Sequence, residues 1–262
     1  MPLLIVAIAA VYSVGVLYYL SRMPSLVGVF WFFTHVPFSQ GSDFRQCLYG
    51  LRDMRLEPTD APEGIKLTDQ GISFVLDTQE PVVETANNEY NSTYRIGEDK
   101  MIMLQTYEPY VESADWLKWI GDAAPSYTYR YRDMKARRLF EKATGKSPDS
   151  EYVCEEAIWD ATIWDLSLFD DDKNKGVLNL LVMKIPGSPP DAEHYRFSNG
   201  YVTGILLRRE GVNVLTFFPS DDLDTRCHIS IVGSFTPVET ETILRTLTLD
   251  KETLANQEVD IP

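Results

Sequence analysis

The side chains that most often carry acid–base or metal chemistry at neutral pH are scarce here: the chain has three histidines and three cysteines. His35 lies in an apolar N-terminal run, and His194 follows Pro189-Pro190 in an expected loop. His228 falls in Arg226 to Val232, whose alternation predicts a strand. On that strand Cys227, Ile229 and Ile231 point one way and His228, Ser230 and Val232 the other. A neighbouring Cys and His on opposite faces cannot act as nucleophile and base or share a metal. The expectation is a packed Cys227 that is buried and unreactive, with His228 on the surface or the second face. Cys47, Cys154 and Cys227 allow at most one internal bridge, which excludes a disulfide framework.

Carboxylates are plentiful, and their spacing has to be read for metal binding. Asp170-Asp171-Asp172-Lys173-Asn174 clusters hard oxygen ligands, but a calcium loop needs Gly at its sixth position and Glu at its twelfth, where this chain has Lys175 and Leu181. A solvated turn is expected there, and again at Asp221, Asp222 and Asp224. No phosphate-binding glycine loop, nucleophile elbow or CxxC occurs, so no metal, cofactor or catalytic set is expected. Asn91-Ser92-Thr93 is a glycosylation sequon, which matters only for a luminal domain in a eukaryote. Trp116, Trp119, Trp159 and Trp164 suit either a ligand cleft or a core, and core packing is the expectation.

Two surface patches remain as candidates for binding a partner. Arg130, Arg132, Lys135, Arg137 and Arg138 are interleaved with Tyr129 and Tyr131 and diluted by Asp133. Such a cluster can hold a phosphate, a carboxylate-rich partner or anionic headgroups. Equally, it can answer the protein's own carboxylates, Glu141 four residues after Arg137 among them. The second patch is the acidic set Asp221, Asp222 and Asp224. Lys and Arg number 24 against 39 Asp and Glu, for a net charge of -15. That field disfavours nucleic acid and anionic lipid headgroups and attracts a basic protein partner.

The elements that must position these residues follow a membrane anchor. Leu3 to Leu20 carries no charge, and at 1.5 Å per residue it spans roughly 27 Å, near the hydrocarbon thickness of a bilayer. Leu26 to Phe38, with Phe30, Trp31, Phe32 and Phe33, suits the headgroup boundary. No Lys or Arg precedes the first run, and Ser21-Arg22-Met23 lacks a small-x-small cleavage pattern, so an uncleaved single-pass anchor is expected. Arg22 alone leans the positive-inside rule towards a cytoplasmic domain. The expectation adopted is an extracytoplasmic one, since tail-first insertion is the simple route for so short an N-terminus. Organisation is read as residues 1–38 anchor and interfacial segment, 39–64 tether, 65–250 one acidic globular domain and 251–262 tail.

Within the domain, Ile72 to Leu76 alternates as a strand, and Tyr94 to Ile96 with Met101 to Thr106 reads as a hairpin around Gly97 to Lys100. Helices are expected from Ser113 to Ile120, from Met134 to Thr144 with Gly145 as its stop, and from Ser147-Pro148 towards Glu156. Ala161 to Phe169 and Val177 to Ile185 read as a hairpin about Asp170 to Gly176, and Tyr201 to Arg208 with Val212 to Phe218 as another. Thr236-Pro237-Val238-Glu239 is a capping box that starts a last helix running to about Leu247.

The sum is an α+β fold, an antiparallel or mixed sheet packed by helices. In element order it is similar to PsbP-like α/β/α sandwiches, where a late hairpin and strand precede a C-terminal helix; the likeness implies a layout and no function. The functional expectation is a membrane-anchored, non-catalytic binding or interaction protein, such as an inhibitor, an immunity-type protein or an envelope assembly factor. The alternative is a membrane-tethered hydrolase whose carboxylates do acid and base work.

Overall fold

The computed structural model describes residues 47–56, 64–87, 91–106, 131, 133–167, 170–187 and 191–250. Both N-terminal apolar runs, His35, the helix expected from Ser113 to Ile120, Arg130, Arg132 and the tail 251–262 lie outside them. Among the described residues no helix is long and apolar enough to cross a membrane. The chain divides into two compact units. A helical unit contains Met1–Tyr49, Asp133–Ser147 and Ala161–Pro190, and a sheet unit contains Gly50–Arg132, Pro148–Asp160 and Asp191–Pro262.

In chain order the elements are β1 (Arg52–Met54), β2 (Ile65–Asp69), β3 (Ile72–Leu76), β4 (Val82–Asn87), β5 (Asn91–Ile96), β6 (Lys100–Thr106), α1 (Met134–Thr144), α2 (Glu151–Asp160), α3 (Asp171–Gly187), β7 (Glu193–Ser198), β8 (Val202–Arg209), β9 (Val212–Pro219), β10 (Cys227–Val232), α4 (Pro237–Thr246) and β11 (Thr248–Leu249). The fold is mixed α+β, with sheets packed by helices.

In the sheet unit, period-two alternation sorts the side chains of an eight-stranded sheet ordered β1-β7-β8-β9-β10-β6-β5-β4. Its pairings are antiparallel except β1 beside β7, so the stretch 39–64 expected as a tether supplies an edge strand. Leu206, Leu215, Phe217, Cys227, Ile229 and Ile231 line one face of this sheet. Against them pack Ile72, Phe74 and Leu76 from a three-stranded sheet ordered β11-β3-β2, together with Ile243, Leu244 and Leu247 at α4.

The β2–β3 hairpin turns through Gln70 and Gly71, both with positive φ, as a two-residue turn matching strand twist requires. Gln70 tolerates that conformation while its amide donates to Ser92 Oγ at 3.0 Å. Helix α4 starts on its expected capping box: the Thr236 hydroxyl accepts from the Glu239 amide at 3.2 Å, and Glu239 accepts from the Thr236 amide at 2.7 Å.

The helical unit corrects the hairpin expected from Ala161 to Ile185. A short 3-10 turn (Ile163–Asp165) and the 17-residue α3 stand there instead. Asp170 does not sit in a hairpin turn but caps the start of the helix, its Oδ1 accepting from the Lys173 amide at 2.9 Å. The run Val177 to Ile185 is apolar at almost every position, so alternation could not separate strand from helix; burial of Val177, Leu180, Leu181 and Lys184 shows the helical stripe. Helix α1 begins at Asp133, whose carboxylate accepts from the Lys135 and Ala136 amides, and ends at Gly145 with φ 70°.

Helices α1 and α3 approach closely at Gly176, where an added Cβ would stand 2.1 Å from the Leu139 carbonyl oxygen. Gly176→Ala is therefore expected to destabilise the protein by about 1–3 kcal/mol through overpacking, although alanine is intrinsically the better helix former by about 1 kcal/mol. Thermal unfolding checks this, and a variant at least as stable as the parent would contradict the close approach.

Candidate functional site

The densest set of ionisable groups in the sheet unit lies between α2 and the second face of the large sheet. Helix α2 starts later than the expected Ser147-Pro148. Ser150 Oγ accepts from the Val153 amide at 3.3 Å, Asp224 Oδ1 from the Glu151 amide at 3.0 Å, and the Leu223 carbonyl from the Tyr152 amide at 3.0 Å. The helix is buried nearly all round and takes Glu151, Glu155 and Glu156 with it. Buried carboxylates need partners, and the sheet supplies them.

Glu155, 3% exposed, faces Arg226 at 3.4 Å and accepts from Trp159 Nε1 at 3.4 Å. Glu156 faces Arg196 on β7 at 2.8 Å and accepts from the Tyr152 hydroxyl at 3.4 Å. Arg196 also reaches Asp53 on β1 at 3.6 Å and Asp160 at 3.7 Å. Trp159 stacks on His194 with ring centroids 4.8 Å apart, and Tyr152 meets Phe218 edge-on. His194 thus sits on a strand, 4% exposed, rather than in the expected loop.

Thr216 on β9 hydrogen-bonds Glu155 and lies 3.0 Å from His228 Nδ1 on β10. Burial raises the Glu155 carboxyl, an effect opposed chiefly by Arg226. His228 is pushed down to about 3, first by burial and then by Arg226. The residue keeps some exposure while its Nε2 is buried.

Chemically this is a chain from an acid with a raised pKa, through a hydroxyl, to a neutral imidazole. Its carboxylates are already engaged by fixed arginines. An expected result follows for His228. The unfolded chain protonates it near pH 6.5, while the folded chain resists down to about 3, so stability falls as pH drops through that window, by up to about 1.4 kcal/mol per pH unit. Urea unfolding at successive pH values checks this; His228→Gln should lose that component of the slope, and an unchanged slope would contradict it.

The residues singled out from the sequence fall elsewhere. Asp222 accepts from the Asp224 amide at 3.1 Å and from the Thr225 hydroxyl at 2.7 Å, and Asp224 caps α2, so both build the scaffold of their loop. Asp221 is exposed in the same loop. On α1, Arg137 pairs with Glu141 at 3.1 Å and Arg138 with Asp172 of α3 at 3.1 Å, while Lys135 is exposed. Lys135, Arg137 and Arg138 belong to the helical unit, and the acidic set belongs to the sheet unit. Cys227 is 1% exposed with its thiol raised to about 12 by burial, and His228 lies on the opposite face. All three cysteines are free and buried.

Among the described residues no group of three His, Cys, Asp or Glu could hold a metal. The Glu155, Glu156, Arg196 and Arg226 set escaped the sequence reading. The one signal for it was a Glu-Glu pair amid the apolar and aromatic residues of Tyr152 to Trp159. Compared with known proteins, the chain matches no family, no curated protein and no solved structure.

Proposed function

We propose that this chain is a membrane-tethered binding protein, not an enzyme, and that its acidic sheet unit engages a basic partner protein. The observation that carries the reading is the net charge of -15, which steers a cationic partner over a long range. Consistent with it, the buried carboxylates of α2 face arginines of their own sheet. The full chain in lipid nanodiscs, used as bait, should retain a stoichiometric basic protein whose association rate falls steeply with added salt. A rate independent of salt, or no such partner, overturns the reading.

A carboxylate hydrolase is the second reading, favoured by the raised Glu155 beside Thr216 and His228. It requires hydrolytic turnover of ester or glycoside probes by the full chain that Glu155→Gln abolishes.

A further inference from the structure

Two aromatic side chains stand out of the helical unit where the chain arrives from its apolar N-terminus: Tyr49 is 60% exposed and Trp164 is 74% exposed. Both are held on a firm mount. Trp164 belongs to the 3-10 turn closed by Thr162, whose amide and hydroxyl each donate to Asp165 Oδ2 at 2.8 Å. The Trp164 indole Nε1 donates to the Leu48 carbonyl at 3.2 Å. The Tyr49 carbonyl accepts from Lys184 Nζ at 2.7 Å, and Lys184 is wholly out of solvent, as is Cys47. Two wet rings leave apolar surface in water unless something covers it.

Chain length indicates the cover. Eight residues, 39–46, separate Phe38 at the end of the second apolar run from Cys47. Fully extended, that segment reaches about 30 Å. Tyr49 and Trp164 therefore stay near a bilayer that holds both Leu3 to Leu20 and Leu26 to Phe38, and Trp and Tyr are the side chains that favour its headgroup boundary. Charge does not oppose this. In the described residues 133–147, 161–167 and 170–187, with the buried Lys184 set aside, Lys and Arg number seven against six Asp and Glu, so this unit does not share the acidity of a chain whose net charge is -15. Screening beyond about 8 Å leaves this local balance, rather than the charge of the whole chain, to act at a lipid surface.

We propose that the helical unit is a membrane-docking module whose Trp164 and Tyr49 enter the headgroup boundary of the bilayer that holds the N-terminal run, an inference that rests on the anchor reading. The full chain, labelled with fluorotryptophan, is reconstituted into phosphatidylcholine vesicles containing phosphatidylserine, and Trp164→Phe identifies the Trp164 fluorine resonance.

A lipid carrying a spin label near its headgroup should broaden that resonance and leave Trp159 sharp, while a soluble gadolinium chelate should spare it. Vesicles of phosphatidylcholine alone should weaken the broadening. If the protein floats with the vesicles yet gadolinium broadens Trp164 and the lipid label does not, docking is overturned and the anchor stands. If the protein does not float with the vesicles, the anchor reading falls and docking falls with it.

Discussion

Arg226→Ala should lower the unfolding free energy by about 3–5 kcal/mol, the range for breaking a buried ion pair from one side. Its partner Glu155 is 3% exposed on α2, and the guanidinium at 3.4 Å is the charge that offsets its burial. Without Arg226 the carboxylate must either stay ionised with only neutral donors or take up a proton. Burial already raises this carboxyl, with Arg226 the chief opposing influence, so the variant raises it further. An acid whose folded pKa is raised loses stability as pH climbs from its unfolded value through the folded one. The penalty should therefore be larger in alkaline than in mildly acidic buffer. Urea unfolding at both pH values measures it, and Glu155→Gln added to Arg226→Ala should recover part of the loss by removing the orphaned charge. A loss below about 1 kcal/mol would mean that the pair behaves as a surface ion pair.

Lys184→Met should cost about 2–4 kcal/mol. Lys184 reaches from α3 to the carbonyls of Tyr49 at 2.7 Å and Ala161 at 2.9 Å, and it is 0% exposed. Methionine keeps most of the volume but donates nothing, so two carbonyls lose their donor at about 1–3 kcal/mol each, offset in part because a polar group no longer has to be buried. The segment Cys47 to Tyr49 should then loosen first. Hydrogen exchange there, compared with exchange in α1, reads this out. Unchanged protection with unchanged stability would show that packing of Cys47 alone secures the segment.

Elements written in short-range chemistry were legible before the structure. Gly145 ends α1, Thr236-Pro237-Val238-Glu239 starts α4, and the alternations around Gly97 and Gly211 close hairpins in which β5 pairs β6 and β8 pairs β9. Each depends on groups within a few residues of one another, so spacing alone reports it. Where the local signal was degenerate, it misled. Val177 to Ile185 is apolar nearly throughout and fits a buried strand or a buried helix, and the Asp170 cap with the packing of α1 decided for the helix.

The sequence by itself determined the charge, the apolar N-terminal runs, the mixed α+β character and the opposite facing of Cys227 and His228, because composition and periodicity are properties of a one-dimensional string. Only the tertiary structure decided which distant groups meet. Arg226 finds Glu155 across 71 residues, Lys184 finds Tyr49 across 135, and β10 pairs with β6 as well as with β9. A carboxylate in the sequence is the same letter whether it caps a loop, as Asp222 does, or is buried under a helix, as Glu155 is. The difference lies in solvent exposure and in the charge opposite, and both exist only once the chain has folded.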